Sequence, residues 1–119
     1  LVEFSDVLPT ICAAADIDVP ESIQIDGRSF LPTLRSEEGE RRDWLHIWYS
    51  RTGTDDKAKE FTRNQRYKLY TDGRFFDVTN DVMEQSPLAE EELDAELLGL
   101  RAMLQDALDQ YADVRGNAL

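Results

Sequence analysis

The sequence has little of what catalysis or metal binding usually requires: one cysteine and one histidine in 119 residues. The single cysteine excludes an internal disulfide. Since His46 is the only histidine, we assign neither a Ser-His-Asp or Cys-His catalytic set nor a metal site with several histidines. Cys12 lies on the apolar stripe of a predicted helix, where a lone cysteine packs as a small hydrophobic residue. The acidic clusters lack the spacing of a calcium loop. The sequence therefore predicts no catalytic residue and no metal ligand.

Basic residues and long apolar runs are also scarce. There are 13 lysines and arginines against 25 acidic residues, and the net charge is −12. Such a surface repels nucleic acids and anionic membranes, so we predict neither as a partner. No apolar run approaches the roughly 18 residues of a membrane-spanning helix. The charge is uneven, because residues 51–74 carry seven basic and four acidic side chains.

The clearest local pattern is a β-hairpin over residues 67–78. Asp72-Gly73 between two apolar-rich runs favours a type I′ turn, because both central residues need positive φ and glycine adopts it without strain. A two-residue loop predicts Leu69 opposite Phe76, Tyr67 opposite Val78, and Lys68 beside Asp77. The first two pairs would then form one apolar face of the sheet.

Two further strands precede the hairpin. Residues 43–50 are aromatic and apolar on both faces, which predicts a strand in a central position. Residues 59–63 form the next strand. A three-residue loop at 64–66 is favoured over a two-residue one, because it places Phe61 opposite Leu69 on the apolar face.

Two helices complete the prediction. Ser5 is a candidate N-cap for a helix over residues 6–16, and Ser86 with Pro87 begins a long helix that ends at Gly116-Asn117. Leucines at three- and four-residue spacing form a continuous stripe on the long helix, and Leu97, Leu100, Leu104 and Leu108 are predicted to pack on the sheet. The same stripe could instead bind a partner helix.

These elements predict an α+β fold: a small antiparallel sheet of three to four strands against a long C-terminal helix, with an N-terminal helix and an irregular linker. Residues 1–119 form a single subdomain in this interpretation. Residues 1–42 hold the helix and the linker, and residues 43–119 hold the sheet and the long helix.

Three sequence blocks resemble the C-terminal part of the sulfatase family. Asp6–Ile17 resembles "D-x-x-P-T-x-x-x-x-A-G-I", and Asp26–Pro32 resembles "D-G-x-S-L-x-P". Residues 63–84 resemble "R-x-x-x-Y-K-L" followed by an aromatic-Asp strand and a "D-x-x-E" turn. The blocks occur in the family's order and spacing over nearly the whole chain. One departure is Asp16, where the family usually has glycine.

The resemblance implies a parent enzyme of the alkaline phosphatase superfamily, an arylsulfatase-like sulfatase or a related phosphatase or phosphonate hydrolase. Its nucleophile would be formylglycine, made from a C/S-x-P-x-R motif beside a divalent metal such as calcium in an N-terminal catalytic domain. This chain lacks that motif and begins at Leu1 without methionine, so we expect a truncated C-terminal subdomain without a cofactor of its own, inactive alone. The implied partners are that catalytic domain and a sulfated small molecule or glycan, and the implied location is periplasmic or secreted.

Three residues are candidates for contact with substrate. His46 alternates with Trp44 and Trp48 on one strand and either packs there or reaches toward a substrate. Arg51 and Arg63 carry guanidinium groups, which match sulfate through parallel hydrogen bonds. The basic segment around them either protects strand edges or faces a sulfated substrate. A patch near Trp44, Trp48 and residues 4–11 is expected to dock the catalytic domain. The alternative function is a non-catalytic acidic protein-interaction module.

Overall fold

The computed structural model describes residues 1–53 and 57–114 of the chain. It divides into two compact units, Leu1–Asp43 and Trp44–Leu119. The fold is α+β, as predicted: a four-stranded antiparallel sheet, an N-terminal helix and a C-terminal helix. In the described ranges, no helix has the length and hydrophobicity needed to cross a membrane.

The first unit contains two helices, α1 (Val7–Ala14) and α2 (Leu31–Leu34), and a 3-10 turn at Phe4–Asp6 leads into α1. Ser5 does not cap α1, because its hydroxyl donates to Glu3 Oε1 at 2.9 Å. The Asp6 carboxylate accepts from the Glu3 N–H at 2.9 Å, which is part of a capping box at the start of the 3-10 turn.

Helix α1 ends in a left-handed residue. Asp16 N donates to Ala13 O and Ile17 N donates to Cys12 O, a Schellman arrangement that closes the last turn. Asp16 itself has φ +56°, a conformation in which glycine has no steric cost. Aspartate therefore occupies a position of this chain whose backbone favours glycine. Cys12, one turn earlier, is half-buried.

The second unit contains the sheet, with strands in the order β1 (Leu45–Tyr49), β2 (Lys59–Arg63), β3 (Tyr67–Tyr70) and β4 (Phe75–Asp77). β1 lies at an edge, so the predicted central position is wrong. Apolar residues on both faces of a strand indicate that both faces are covered. They do not indicate how many strands pair with it, because pairing takes place through the backbone at its two edges. Lys59, Arg63 and Lys68 lie on the two inner strands, so they do not protect an edge.

The hairpin register differs from the prediction by one residue. Leu69 pairs with Phe75 and Lys68 pairs with Phe76. Tyr70 N donates to Arg74 O at 2.9 Å, which makes the loop three residues long, and Gly73 ends it at φ +87°. This is a type I turn followed by a glycine bulge rather than a type I′ turn. A one-residue shift moves Phe76 to the face opposite Leu69.

The β2–β3 register is also shifted. Phe61 pairs with Tyr70, and Asn64 N donates to Tyr67 O at 3.0 Å, so Gln65 and Arg66 alone form the connection. The Asn64 side chain stabilises this turn, because its Oδ1 accepts from the N–H groups of Arg66 and Tyr67 at 2.8 and 2.6 Å. Phe61 therefore lies on the face opposite Leu69, contrary to the prediction.

The long helix, α3, spans Ala95–Asp109 and begins later than predicted. Asp94, not Ser86, is its N-cap and accepts from Leu97 N at 2.9 Å. A 3-10 turn at Glu90–Glu92 precedes it. The predicted end at 116–117 lies outside the described residues.

Helix α3 packs on one sheet face, as predicted, through part of its leucine stripe. Leu104 and Leu108 are fully buried against Leu69 and Phe75. The Thr62 hydroxyl donates to Leu104 O at 2.8 Å and ties the helix backbone to the sheet. The predicted burial of the two N-terminal stripe leucines, 97 and 100, is wrong, because both are only half-buried.

Candidate functional site

His46 is held inside the second unit. Its Nε2 lies 2.9 Å from Glu60 Oε1, and its ring stacks on Tyr111 with centroids 3.9 Å apart and planes 8° apart. Its pairing with Thr62 places it on the face that α3 covers. The side chain is only 13% exposed. His46 thus joins the edge strand β1 to the chain just after α3. Its hydrogen bond to Glu60 and its stacking on Tyr111 are both contacts within the second unit.

The structure does not bring the three candidate residues to one site. Leu45 pairs with Arg63 and His46 pairs with Thr62, so His46 and Arg63 lie on opposite faces of the sheet. Arg63 donates to the carbonyl oxygens of Asn64 and Gln65 at 3.0 and 3.2 Å and so stabilises the β2–β3 turn. Arg51 is exposed just beyond β1.

The sheet face opposite α3 holds a charged cluster that the sequence analysis missed. Lys68 Nζ donates to Glu84 Oε1 at 2.6 Å, and the Tyr70 hydroxyl donates to Glu84 Oε2 at 2.5 Å. The Lys68 ammonium also lies 3.9 Å from the Phe61 ring centroid and 4.6 Å from that of Tyr70. The only signal for this cluster in the sequence was the glutamate of the "D-x-x-E" turn.

The pKa values of two groups in this cluster are shifted. Burial, and then the hydrogen bond to Glu84, raise the pKa of Tyr70. Burial would raise the pKa of Glu84, but the hydrogen bonds from Lys68 and Tyr70 outweigh it and lower that pKa. The cluster therefore holds Glu84 as a carboxylate and Tyr70 as a neutral phenol at neutral pH, and it satisfies the Lys68 charge internally.

Asp77 organises the chain as it leaves the sheet. It accepts from Arg66 Nη2 at 2.7 Å, from Asn80 Nδ2 at 2.8 Å and from Thr79 N at 3.2 Å. The hydrogen bond from Arg66 is the main reason that its pKa is lowered to about 2, against the opposing effect of burial. The arrangement is structural, because the contacts with Thr79 and Asn80 fix the turn after β4 and the contact with Arg66 ties that turn to the β2–β3 connection.

The first unit has its own buried carboxylate, Asp6, which is 2% exposed. Its Oδ1 accepts from Arg28 N at 2.8 Å and from the guanidinium of Arg42. Thr10 extends the link, because its hydroxyl accepts from Phe30 N at 3.1 Å. These contacts join the "D-x-x-P-T" block to the "D-G-x-S" block, so the two motifs form one clasp.

Gly27 lets the two blocks of that clasp approach each other. A Cβ at this position would lie 2.0 Å from Ser5 O, and no rotamer change relieves a clash with backbone. The glycine is therefore required by close approach rather than by a left-handed φ.

An open cleft of about 500 Å³ lies in the first unit. Its lining combines apolar residues with four charged ones, Arg28, Arg35, Glu37 and Glu40, and Arg28 pairs with Glu40 at 2.8 Å. Positive and negative groups are balanced, so the cleft has no clear preference for an anion or a cation. In the part of the chain that the structure describes, no three His, Cys, Asp or Glu side chains form a group that could hold a metal ion.

Helix α1 and the 3-10 turn before it present an exposed apolar stripe, the α1 stripe. Phe4 is 91% exposed and Ile11 is 60% exposed, and Val7 and Leu8 lie between them at helical spacing. In the second unit, Trp48 is exposed, whereas Trp44 packs against the core. Exposed apolar surface was therefore predicted correctly at residues 4–11 and Trp48, and incorrectly at Trp44.

Comparison with known proteins identifies the fold of the chain but not its family. No family model and no curated protein matches the chain. Among solved structures, it resembles BT4656 in complex with its substrate D-glucosamine-2-N,6-O-disulfate, with a TM-score of 0.68 and 23% sequence identity. The match covers 91% of this chain and 24% of BT4656. The chain therefore has the fold of a part of BT4656 and spans about a quarter of its length.

Proposed function

We propose that this chain is the C-terminal subdomain of a sulfatase. The observation that carries the proposal is the fold likeness to part of BT4656, whose substrate is a disulfated sugar. The three sequence blocks that resemble sulfatases add independent support, and two of them meet in the Asp6 clasp. The parent would hydrolyse sulfate esters of a small molecule or glycan, in the periplasm or outside the cell.

The residues of this chain do not fit a formylglycine site. Formylglycine formation would need C/S-x-P-x-R, whereas Cys12 is followed by three alanines and an aspartate. Cys12 is also half-buried on a helix. In this proposal the nucleophile and the divalent metal belong to the catalytic domain, and this chain supplies structural support for it.

The α1 stripe is the proposed contact with the rest of the parent polypeptide. Phe4 and Ile11 of this stripe are mostly exposed, and Val7 and Leu8 are partly exposed, which is unfavourable in water unless another surface buries them. A parent about four times as long as the matched part, by analogy with BT4656, would supply that surface. Arg51, exposed beyond β1, and Arg63 remain candidates for contact with a sulfated substrate, and so does His46.

The test compares the purified chain with the polypeptide that its gene encodes. We expect the longer polypeptide to contain C/S-x-P-x-R and to hydrolyse sulfate esters in the presence of calcium, and we expect the chain alone to show no turnover. Arg51→Ala in the longer polypeptide should raise KM if Arg51 contacts substrate, whereas Glu91→Ala, an exposed change elsewhere, should not. Turnover by the chain alone that Cys12→Ala abolishes would overturn the proposal.

A non-catalytic protein-interaction module is the second candidate. The exposed stripe from Phe4 to Ile11 favours it equally, because a partner protein could cover the stripe. The sequence that the gene encodes distinguishes the two proposals. An open reading frame without C/S-x-P-x-R would exclude the sulfatase and leave the interaction module.

A further inference from the structure

Among the described residues, strand β1 pairs with one neighbouring strand only. Leu45–Tyr49 pairs along its whole length with β2 and is first in the sheet order. Within the described ranges, no loop or helix forms a backbone hydrogen bond with residues 45–49. Its outer margin therefore presents unpaired N–H and C=O groups, which can pair with another strand.

This margin lacks the features that usually protect an edge strand. Leu45-His46-Ile47-Trp48-Tyr49 contains no lysine, proline or acidic residue, and its five pairs with β2 run in unbroken register without a bulge. The opposite edge is different. β4 has only three residues, and Phe75 O there already accepts from Leu88 N at 2.8 Å. Of the two edges of the sheet, as far as the described residues show, only the β1 edge is both long and open.

We propose that β1 is a self-association edge, where two copies of this chain pair antiparallel and join their four-stranded sheets into one. A pairing centred on Ile47 uses all five residues of the strand. On the face that α3 covers, Trp48 then lies opposite His46 of the partner subunit. On the other face, Leu45 lies opposite Tyr49 of the partner subunit. Aromatic and aliphatic cross-strand pairs of this kind stabilise a sheet.

A second copy fits this edge because the edge is complementary to itself. A two-fold interface needs the same patch on both subunits, and the proposed register places an aromatic beside an apolar or aromatic residue at each off-centre pair. No carboxylate or ammonium lies on the strand, so no like charges meet across the pair. Trp48 and Tyr49, which are 41% and 58% exposed, would become covered.

Net charge gives the association a distinctive salt dependence. Two copies with a charge of −12 each repel one another at long range, and salt screens that repulsion. Pairing of β1 with β1 should therefore strengthen as salt is added. A positively charged partner, by contrast, would bind less tightly as salt is added.

The test is sedimentation velocity of the whole chain from about 10 to 500 µM, a range that detects micromolar dimers. We expect the weight-average mass to rise toward twice the monomer mass, and to rise further with added salt. Tyr49→Lys should weaken the association constant at least about tenfold, because it adds a charge to the edge. Val82→Lys is the matched control, since Val82 is 75% exposed and follows β4, at the other end of the strand order from β1, and it should leave the association unchanged.

Hydrogen exchange provides a second readout that does not depend on a variant. Amides of residues 45–49 should exchange more slowly at the high concentration than at the low one, while those of the Glu90–Glu92 turn should not change. A chain that stays monomeric throughout the range would overturn the proposal. So would a dimer that Val82→Lys disrupts and Tyr49→Lys does not, or a dimer in which the 45–49 amides are not protected.

Discussion

Glu84 Oε1 lies 2.6 Å from Lys68 Nζ, although Glu84 sits in the turn after the sheet and Lys68 on an inner strand. Glu84 also has φ +54°, which is unfavourable for a residue with a Cβ. The hydrogen bonds to Lys68 and Tyr70 hold it in that conformation. The Glu84 side chain therefore ties the turn after β4 to strand β3.

Glu84→Ala should destabilise the chain by about 3 kcal/mol, because it leaves the nearly buried Lys68 ammonium without its carboxylate. Chemical denaturation at pH 7 measures the free energy of unfolding. Glu84→Gln should cost less, since the amide oxygen still accepts a hydrogen bond. Val82→Ala, two residues away and exposed, should change stability by no more than about 0.5 kcal/mol. Equal losses for Glu84→Ala and Val82→Ala would show that the cluster does not stabilise the turn.

Leu104→Ala should cost about 2–5 kcal/mol, because Leu104 is fully buried between α3 and the sheet. Leu98→Ala is the matched control on the same helix. Leu98 is 42% exposed, so its loss should stay near or below about 1 kcal/mol. A loss below about 1 kcal/mol for Leu104→Ala as well would mean that the stripe does not pack on the sheet and would favour the interaction module.

The element types followed from the sequence, whereas the pairings did not. Strand and helix patterns depend on local periodicity, which correctly predicted α1, the strands and the position of Leu104 and Leu108 on the core face. The registers depend on side-chain contacts within turns. Asn64 Oδ1 and Asp72 Oδ1 each accept a backbone N–H and set the lengths of the two loops. Type I turns with a glycine bulge and type I′ turns share the Asp-Gly signature, so the residues alone did not distinguish them.

In the candidate site, too, local patterns were informative, whereas contacts between residues distant in sequence were not predicted. His46 packs inside the fold, which was one of the two alternatives for it, and its stacking on Tyr111 joins positions that no periodic pattern relates. Lys68 and Tyr70 share a face of the sheet in either register, because they lie two residues apart on β3. Only the observed register brings Phe61 to that face, so a one-residue error in a turn was enough to hide the contact between Lys68 and the Phe61 ring.

Asp16→Gly should stabilise the chain by about 0.5–1 kcal/mol, because glycine adopts the left-handed conformation at the end of α1 without a Cβ penalty. Thermal unfolding at neutral pH measures the gain as a higher Tm. Asp18→Gly is the control: its φ is not positive, and glycine there only adds freedom to the unfolded chain. A gain for Asp18→Gly equal to that for Asp16→Gly would attribute the effect to lost negative charge rather than to the backbone.

The Asp77 carboxylate should titrate with a pKa of about 2 in the folded chain, below the ordinary value of 3.8, because Arg66 donates to it. Between these two pH values the unfolded chain binds more protons than the folded one, so this group stabilises the fold fully above pH 3.8 and the stabilisation is lost as pH falls through 2. Carboxyl NMR titration reports the pKa directly. Arg66→Gln should raise it toward the ordinary value, whereas Arg74→Gln should not, because Arg74 pairs with Asp72 instead. An unchanged Asp77 pKa in Arg66→Gln would assign the shift to the hydrogen bonds from Asn80 and Thr79.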